Sequence, residues 1–161
     1  MELSHTHRYA ASATEVQQML TDAAFRERVC ERQHALSHEV SVTGAGPDAE
    51  VLVRQTQAMT GAPAVASRLT GDTVSLEQRE AWRSATTADL SISLPGKPVE
   101  LRGGRLTLTD LPDGGCEQVV SGDLKVKVPL VGGKLEAMLA DVIRAAMRRQ
   151  GEVGDAWLAQ G

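Results

Sequence analysis

Seven stretches of the chain are predicted to be β-strands, because apolar and polar residues alternate along them as in strands with one buried face. They cover residues 3–9, 36–42, 51–58, 73–82, 87–94, 99–108 and 116–128. The last stretch is the most regular, whereas the alternation in 51–58 is poor and leaves its register open. Turns join the last six strands in succession, which predicts an antiparallel meander. Gly103 and Gly104 predict a bulge or sharp bend within the sixth strand.

Two short helices are predicted between the first two strands. Ser12 precedes Glu15 by three residues, which is the spacing of a capping box at the start of a helix. Asp22 can cap a second helix that buries Phe25 and Val29, so the two helices should meet at an angle. A short helical turn before the fourth strand is also predicted, from Val65, Ala66 and Leu69.

A long helix is predicted after the last strand, because the apolar period changes there from two to about 3.6 residues. Its apolar stripe comprises Leu135, Met138, Leu139, Val142, Ile143, Ala146 and Met147. Gly151 and Gly154 each cost about 1 kcal/mol relative to alanine, so we expect a bend or fraying there. Val153 and Trp157 should dock the end of the helix.

These elements predict one α+β domain over residues 1–161. A twisted seven-stranded sheet has a face to cover, and the long helix is the element large enough to cover it. The two short helices can close one end. A curved sheet around a helix leaves a space where the curvature exceeds the width of the helix, and we expect a pocket there.

Composition narrows the functions that the fold can carry. The chain has a net charge of −4 and no basic stripe, which disfavours nucleic-acid binding. Aromatic residues make up only 2% of the chain, too few for base-stacking platforms, so small aliphatic side chains must fill the interior. Small side chains beside a long helix make an unfilled volume more probable.

The chain gives no indication of export or membrane insertion. It begins without a basic and apolar leader, and no apolar run reaches the ~18 residues of a transmembrane helix. Cys30 and Cys116 have no metal-ligand spacing, and without an export signal we expect no disulfide. We therefore expect a cytoplasmic protein without a bound metal or other cofactor.

Three segments resemble the bacterial domain-of-unknown-function family 2505. They are HTHRY at residues 5–9, Gly71-Asp72-Thr73 leading to Trp82, and VKVPLVGGKLE at residues 126–136. The last is the most specific, because it marks a strand entering the long helix. This family lies in the SRPBCC superfamily, which includes the Bet v 1-like and START-type lipid-binding proteins. The resemblance implies a helix-grip fold and a pocket for an apolar ligand, and it implies no catalytic set.

Polar residues on the predicted inner faces are the candidate site. Gln78 and Glu80 interrupt an apolar face, which fits either a polar anchor for a ligand or a strand that twists Glu80 into solvent. Gln118 is a similar but weaker case. The full set of predicted cavity-lining residues is Tyr9, His7, His38, Gln78, Glu80, Trp82, Ile92, Gln118, Val120, Met138 and Val142.

The histidines offer a second chemistry. His5 and His7 are two apart on one strand and share a face, as a pair of metal ligands would, but no third ligand has a spacing that completes a site. His38 would face inward on the second strand. Together with Glu80, these residues could act as acid and base on a pocket-bound polyketide-like substrate.

Three functions remain open at this stage. The first is binding or transport of a hydrophobic small molecule or lipid, which the predicted pocket favours. The second is a cyclase- or dehydratase-type enzyme, which needs the histidines and Glu80 to converge. The third is an interaction module, such as a homodimer formed through a sheet edge or the helix.

Overall fold

Seven strands form in the predicted order. A computed structural model of the protein describes residues 1–59, 64, 67, 68 and 71–160. The strands are β1 (Glu2–Tyr9), β2 (Ser37–Thr43), β3 (Glu50–Ala58), β4 (Thr73–Trp82), β5 (Thr87–Ser93), β6 (Val99–Asp110) and β7 (Cys116–Val126). The helical turn predicted from Val65, Ala66 and Leu69 lies outside the described residues.

All seven strands pair antiparallel in one sheet of order β1-β7-β6-β5-β4-β3-β2. The predicted meander from β2 to β7 is confirmed, and β1 joins it beside β7. Strands β1 and β2 are therefore the two edges, although they are close in sequence. The register that the alternation left open in β3 is now fixed: Val51 and Val53 are buried, and Gln55 lines the interior.

The predicted bulge in β6 is confirmed. Its pairing with β7 shifts between Arg102 and Arg105. Gly103 has a φ of +60°, a conformation that favours glycine, and a Cβ at Gly104 would collide with the Leu90 carbonyl oxygen on β5. The bulge bends the strand, which contributes to the curvature that makes room for an interior space.

Helices α1 (Ala13–Leu20) and α2 (Ala23–Arg32) begin at the predicted caps. The Ser12 hydroxyl accepts a hydrogen bond from the Glu15 backbone N–H at 3.2 Å, and the Glu15 carboxylate accepts one from the Ser12 backbone N–H. Asp22 accepts a hydrogen bond from the Ala24 backbone N–H at 2.9 Å. A 3₁₀ turn at Gly46–Asp48 leads into β3.

The long helix, α3 (Gly132–Ala159), continues through both glycines, so the predicted fraying is wrong. Gly151 and Gly154 are where the helix contacts β1: an added Cβ would lie 2.5 Å from His7 Nδ1 and 2.7 Å from Tyr9 Cε1. Close packing therefore outweighs the low helix propensity of glycine. The predicted docking of the helix end is confirmed, because Trp157 packs edge-on against Phe25 at 5.5 Å between ring centroids.

Helix α3 covers only part of the sheet, since it contacts β1, β7 and α2. The buried residues of α1, α2, α3 and the sheet form one core, filled mainly by Leu, Val, Ile and Ala. Among the described helices, none is long and apolar enough to cross a membrane.

Candidate ligand-binding cavity

A cavity lies between the inner face of strands β3–β7 and the helices α2 and α3. Its volume is about 80 Å³, several times the ~10–15 Å³ that one water needs but below the ~300–1,000 Å³ of drug-sized ligand pockets. Its lining consists of Arg26, Val29, Cys30, Gln33, Val53, Gln55, Leu76, Gln78, Glu80, Leu90, Ile92, Leu106, Gln118, Val120, Val142, Ile143, Ala146, Met147 and Gln150. In this conformation the space is large enough for a small molecule or for one end of a larger one.

The pairing of strands β3 to β7 places apolar side chains side by side in one wall of the cavity. Val53, Gln78 and Ile92 are direct neighbours on β3, β4 and β5, and Leu106 pairs with Val120 on β6 and β7. Paired residues of adjacent strands point to the same face of a sheet, so these side chains form a continuous surface. The wall is aliphatic, with polar groups at a few defined points.

The main polar group is a buried ion pair between α2 and β4. Arg26 Nη2 donates hydrogen bonds to both carboxylate oxygens of Glu80 at 2.7 Å. Arg26 Nε donates to the Leu20 carbonyl at 2.7 Å, and Gln78 Nε2 donates to Glu80 Oε2 at 2.8 Å. The alternative in which Glu80 faces solvent is therefore excluded, since its exposure is only 1%.

Arg26 is a residue that the sequence analysis did not select. It lies three and four residues before Val29 and Cys30, which places all three on one face of α2. All three line the cavity. The sequence did contain a signal for Arg26, because it shares the apolar face of α2 with Val29 and Cys30. A guanidinium buried on such a face needs a carboxylate partner elsewhere in the fold.

Gln118 supplies a second polar point in the wall, on β7. The residue is 4% exposed, and its Oε1 has no hydrogen-bond partner among the described residues. It pairs with Leu108 on one side and with His7 on the other. Its side chain therefore brings an unused acceptor to an otherwise apolar wall.

The outer side of the cavity is crossed by a chain of glutamines. Gln55 Nε2 donates to Gln33 Oε1 at 3.1 Å, and Gln33 Nε2 donates to the Ala146 carbonyl at 3.0 Å. These bonds connect β3 to α2 and α2 to α3. Val142, a member of the apolar stripe of α3, lines the same side and is 54% exposed.

Six of the predicted cavity-lining residues lie in the lining. They are Gln78, Glu80, Ile92, Gln118, Val120 and Val142. The other five predicted residues lie outside the lining: His38, Trp82, Met138, Tyr9 and His7.

His38 pairs with Gln55 and therefore shares the inner face of the sheet, as expected. It is nevertheless exposed and outside the cavity lining, because β2 is an edge strand and no described residue encloses this end of it, so its expected place in the lining is wrong. Trp82 is buried at the end of β4, but outside the lining. Met138 packs on the core one helical turn before the cavity, whose α3 wall begins at Val142.

Tyr9 and His7 face α3 as the alternation predicts, but they fill the contact with the helix instead of lining the cavity. His7 Nε2 lies 3.1 Å from Asp155 Oδ1, and its ring packs edge-on against Tyr9 at 4.5 Å. Burial, and then the charge of Asp155, raise the pKa of the Tyr9 hydroxyl. The tyrosine thus stays neutral in a tight helix–strand contact.

The convergence of His5, His7 or His38 with Glu80 that the second function needs is not found among the described residues. No hydrogen bond joins His5, His7 or His38 to Glu80, whose two carboxylate oxygens are already bound by Arg26 and Gln78. Nor do the described residues contain a group of three or more potential metal ligands. Both cysteines are free and buried, and burial raises the pKa of the Cys30 thiol to about 11, so it stays protonated near neutral pH.

A curved antiparallel sheet of seven strands, two short helices after β1 and a long C-terminal helix define a protein of the helix-grip fold. More narrowly, the chain belongs to the family described as protein of unknown function (DUF2505), whose profile matches residues 4–158. The family and the fold expected from the sequence are thus confirmed. No curated protein sequence matches the chain significantly.

Solved structures share the fold at low sequence identity. The protein TTHA0849 from Thermus thermophilus is 13% identical, with a TM-score of 0.66 and 100% of both chains covered. The Zhui aromatase/cyclase from a Streptomyces species is 14% identical, with a TM-score of 0.58 over 97% of this chain and 89% of that one. A START superfamily protein from Mycobacterium smegmatis is 13% identical, with a TM-score of 0.57 over 99% and 97%. At these identities the likeness establishes the fold alone.

Proposed function

We propose that this protein binds a hydrophobic small molecule in the cavity between its sheet and helices α2 and α3. The observation that carries the proposal is the cavity itself, about 80 Å³ with a largely aliphatic wall. Protein interiors are normally close-packed, and this space leaves aliphatic side chains of its wall without packing contacts on one side. A bound apolar group recovers those contacts. The likeness to the START superfamily protein supports the proposal at the level of the fold.

The size of the cavity sets how a larger ligand would bind. A lipid or other extended molecule needs more than the present volume, so part of it must pass the outer side at Val142 and the glutamine chain. Binding of such a ligand would therefore separate Gln33 from Gln55 or from the Ala146 carbonyl.

The proposal is tested by native mass spectrometry of the purified protein, with organic extraction, for a copurifying apolar molecule. In parallel, the uncharged probe N-phenyl-1-naphthylamine is titrated and followed by its fluorescence. We expect binding by the unchanged protein and at least about tenfold weaker binding by Val120→Phe, which fills the cavity. A protein that carries no apolar molecule and binds no probe would contradict the proposal.

Val119→Phe is the matched control. Val119 precedes Val120 on β7 and points to the opposite face of the sheet. The same ring added there should leave probe binding unchanged. Equal binding by both variants would show that the probe occupies another site.

Three further features remain predictions beside this one: a cytoplasmic location, one domain over residues 1–161, and homodimer formation. Two free, buried cysteines are compatible with a reducing compartment. Light scattering of the purified protein tests the dimer.

A further inference from the structure

Two of the polar groups that line the cavity, the Arg26–Glu80 pair and Gln118, differ in the hydrogen bonds that they leave for a ligand. At the first, Arg26 and Glu80 satisfy each other, since both carboxylate oxygens accept from the guanidinium. At the second, Gln118 Oε1 is buried and has no partner among the described residues. A buried carbonyl oxygen without a hydrogen bond is unfavourable, and a hydrogen-bond donor on a ligand would satisfy it.

The cavity has no spare positive charge. Arg26 and Glu80 are the charged residues of its lining, and they form one neutral pair. An anionic headgroup would have to take Arg26 from Glu80 and leave that carboxylate buried without its cation. Breaking a buried ion pair in this way is strongly unfavourable, so the cavity selects against carboxylates.

We propose that the ligand is an uncharged molecule with an aliphatic body and a hydroxyl group, and that this hydroxyl hydrogen-bonds to the Gln118 side-chain amide. A hydroxyl group donates to the amide oxygen and also accepts from the amide nitrogen, so it matches either orientation of the glutamine. The aliphatic body matches a lining that contains no aromatic ring among the described residues. This inference rests on the proposed function and narrows the ligand class of the same cavity.

Three probes that share a chain of eight carbons separate the effects of the hydroxyl group and of charge: 1-octanol, its methyl ether and octanoate. Each is titrated near pH 7.5 and followed by protein NMR chemical shifts. The ether keeps the oxygen but cannot donate, so we expect 1-octanol to bind about tenfold more tightly than the ether. Octanoate carries a full charge, and we expect it to bind about 100-fold more weakly than 1-octanol.

Gln118→Leu tests whether Gln118 is the recognising group. The variant replaces an unsatisfied polar side chain by an apolar one of similar size, so it should fold at least as well as the unchanged protein. We expect 1-octanol and its ether to bind this variant within about twofold of each other. Gln18→Leu makes the same change at an exposed position of α1, outside the lining, and should preserve the preference for 1-octanol.

The outcomes separate this inference from the proposed function. If none of the three probes nor N-phenyl-1-naphthylamine binds, the cavity is not a ligand site and both proposals fail. If the probes bind but octanoate binds as tightly as 1-octanol, the inference about the ligand class is wrong, whereas the proposed function stands. The same conclusion follows if the preference for 1-octanol survives in Gln118→Leu.

Discussion

Arg26 Nη2 lies 2.7 Å from each carboxylate oxygen of Glu80, and the two residues are 2% and 1% exposed. This pair joins the middle of α2 to the inner face of β4, across 54 positions of sequence. The Leu20 carbonyl and the Gln78 amide hold the two partners in place. The ion pair therefore fixes α2 over the cavity and sets the cavity's neutral charge.

Arg26→Met should destabilise the fold by about 3–5 kcal/mol, because it leaves the Glu80 carboxylate buried without its cation. Urea unfolding followed by tryptophan fluorescence measures this loss. The double variant Arg26→Met with Glu80→Leu should recover most of it, since the unpaired charge is gone as well.

Arg54→Met is the matched control for the ion pair. Arg54 forms a hydrogen-bonded pair with Glu77 at 2.9 Å, but on the outer surface and with half of the arginine side chain exposed. Arg54→Met should lower the free energy of unfolding by less than about 1 kcal/mol. If Arg26→Met and Arg54→Met lower the free energy of unfolding by similar amounts, burial of the Arg26–Glu80 pair has no energetic consequence.

Gly154→Ala should destabilise the protein by roughly 1–3 kcal/mol, although alanine favours a helix more than glycine does. The new methyl group would lie 2.7 Å from Cε1 of the buried Tyr9 ring. Gly133→Ala, in the first turn of α3 with no atom near the added carbon, should be neutral or stabilising by up to about 1 kcal/mol. Thermal melting of both variants provides the comparison, and a stabilised Gly154→Ala would refute the close-packing explanation.

The stability of the fold should fall as the pH drops below about 6.5, and His5 should contribute to this fall. Burial, with smaller effects of His7, Arg148 and Arg144, lowers the pKa of His5 from its ordinary value of 6.5. The unfolded chain then takes up a proton at His5 more readily than the folded chain does, so acid favours unfolding. The contribution is fully present above pH 6.5 and is lost as the pH falls through the folded-state pKa.

His5→Gln removes this titration, so its urea midpoint should fall less than that of the unchanged protein between about pH 7.5 and pH 5. His38→Gln, at an exposed position of β2, is the control and should behave as the unchanged protein does. Identical pH dependence in His5→Gln and in the unchanged protein would rule out the contribution of His5.

The strands and helices could be predicted from the sequence because their cause is local. Alternation with period two gave all seven strands to within a few residues, and Ser12 with Glu15 marked the start of α1. Gln78 and Glu80 share a face with Val74 and Trp82 for the same reason. Gly103 and Gly104 indicated the bulge, because few other residues tolerate those backbone positions.

Other features depend on contacts between distant segments. The alternation of residues 36–42 predicted the inner face for His38, but β2 became an edge strand whose start is not enclosed, so His38 does not line the cavity. Gly151 and Gly154 were expected to weaken α3, whereas they allow it to pack against β1. No local pattern carries this information, because propensity describes a helix without its neighbours.

The sequence by itself determined the strands, the helices, the family and the helix-grip fold, since these follow from periodicity, caps and motifs along the chain. Only the tertiary structure decided that Arg26 would neutralise Glu80, that Gln118 Oε1 would find no partner among the described residues and that the cavity would be small. The physical reason is that burial and pairing are properties of the space between elements. That space exists only after α2, α3 and the curved sheet have packed together.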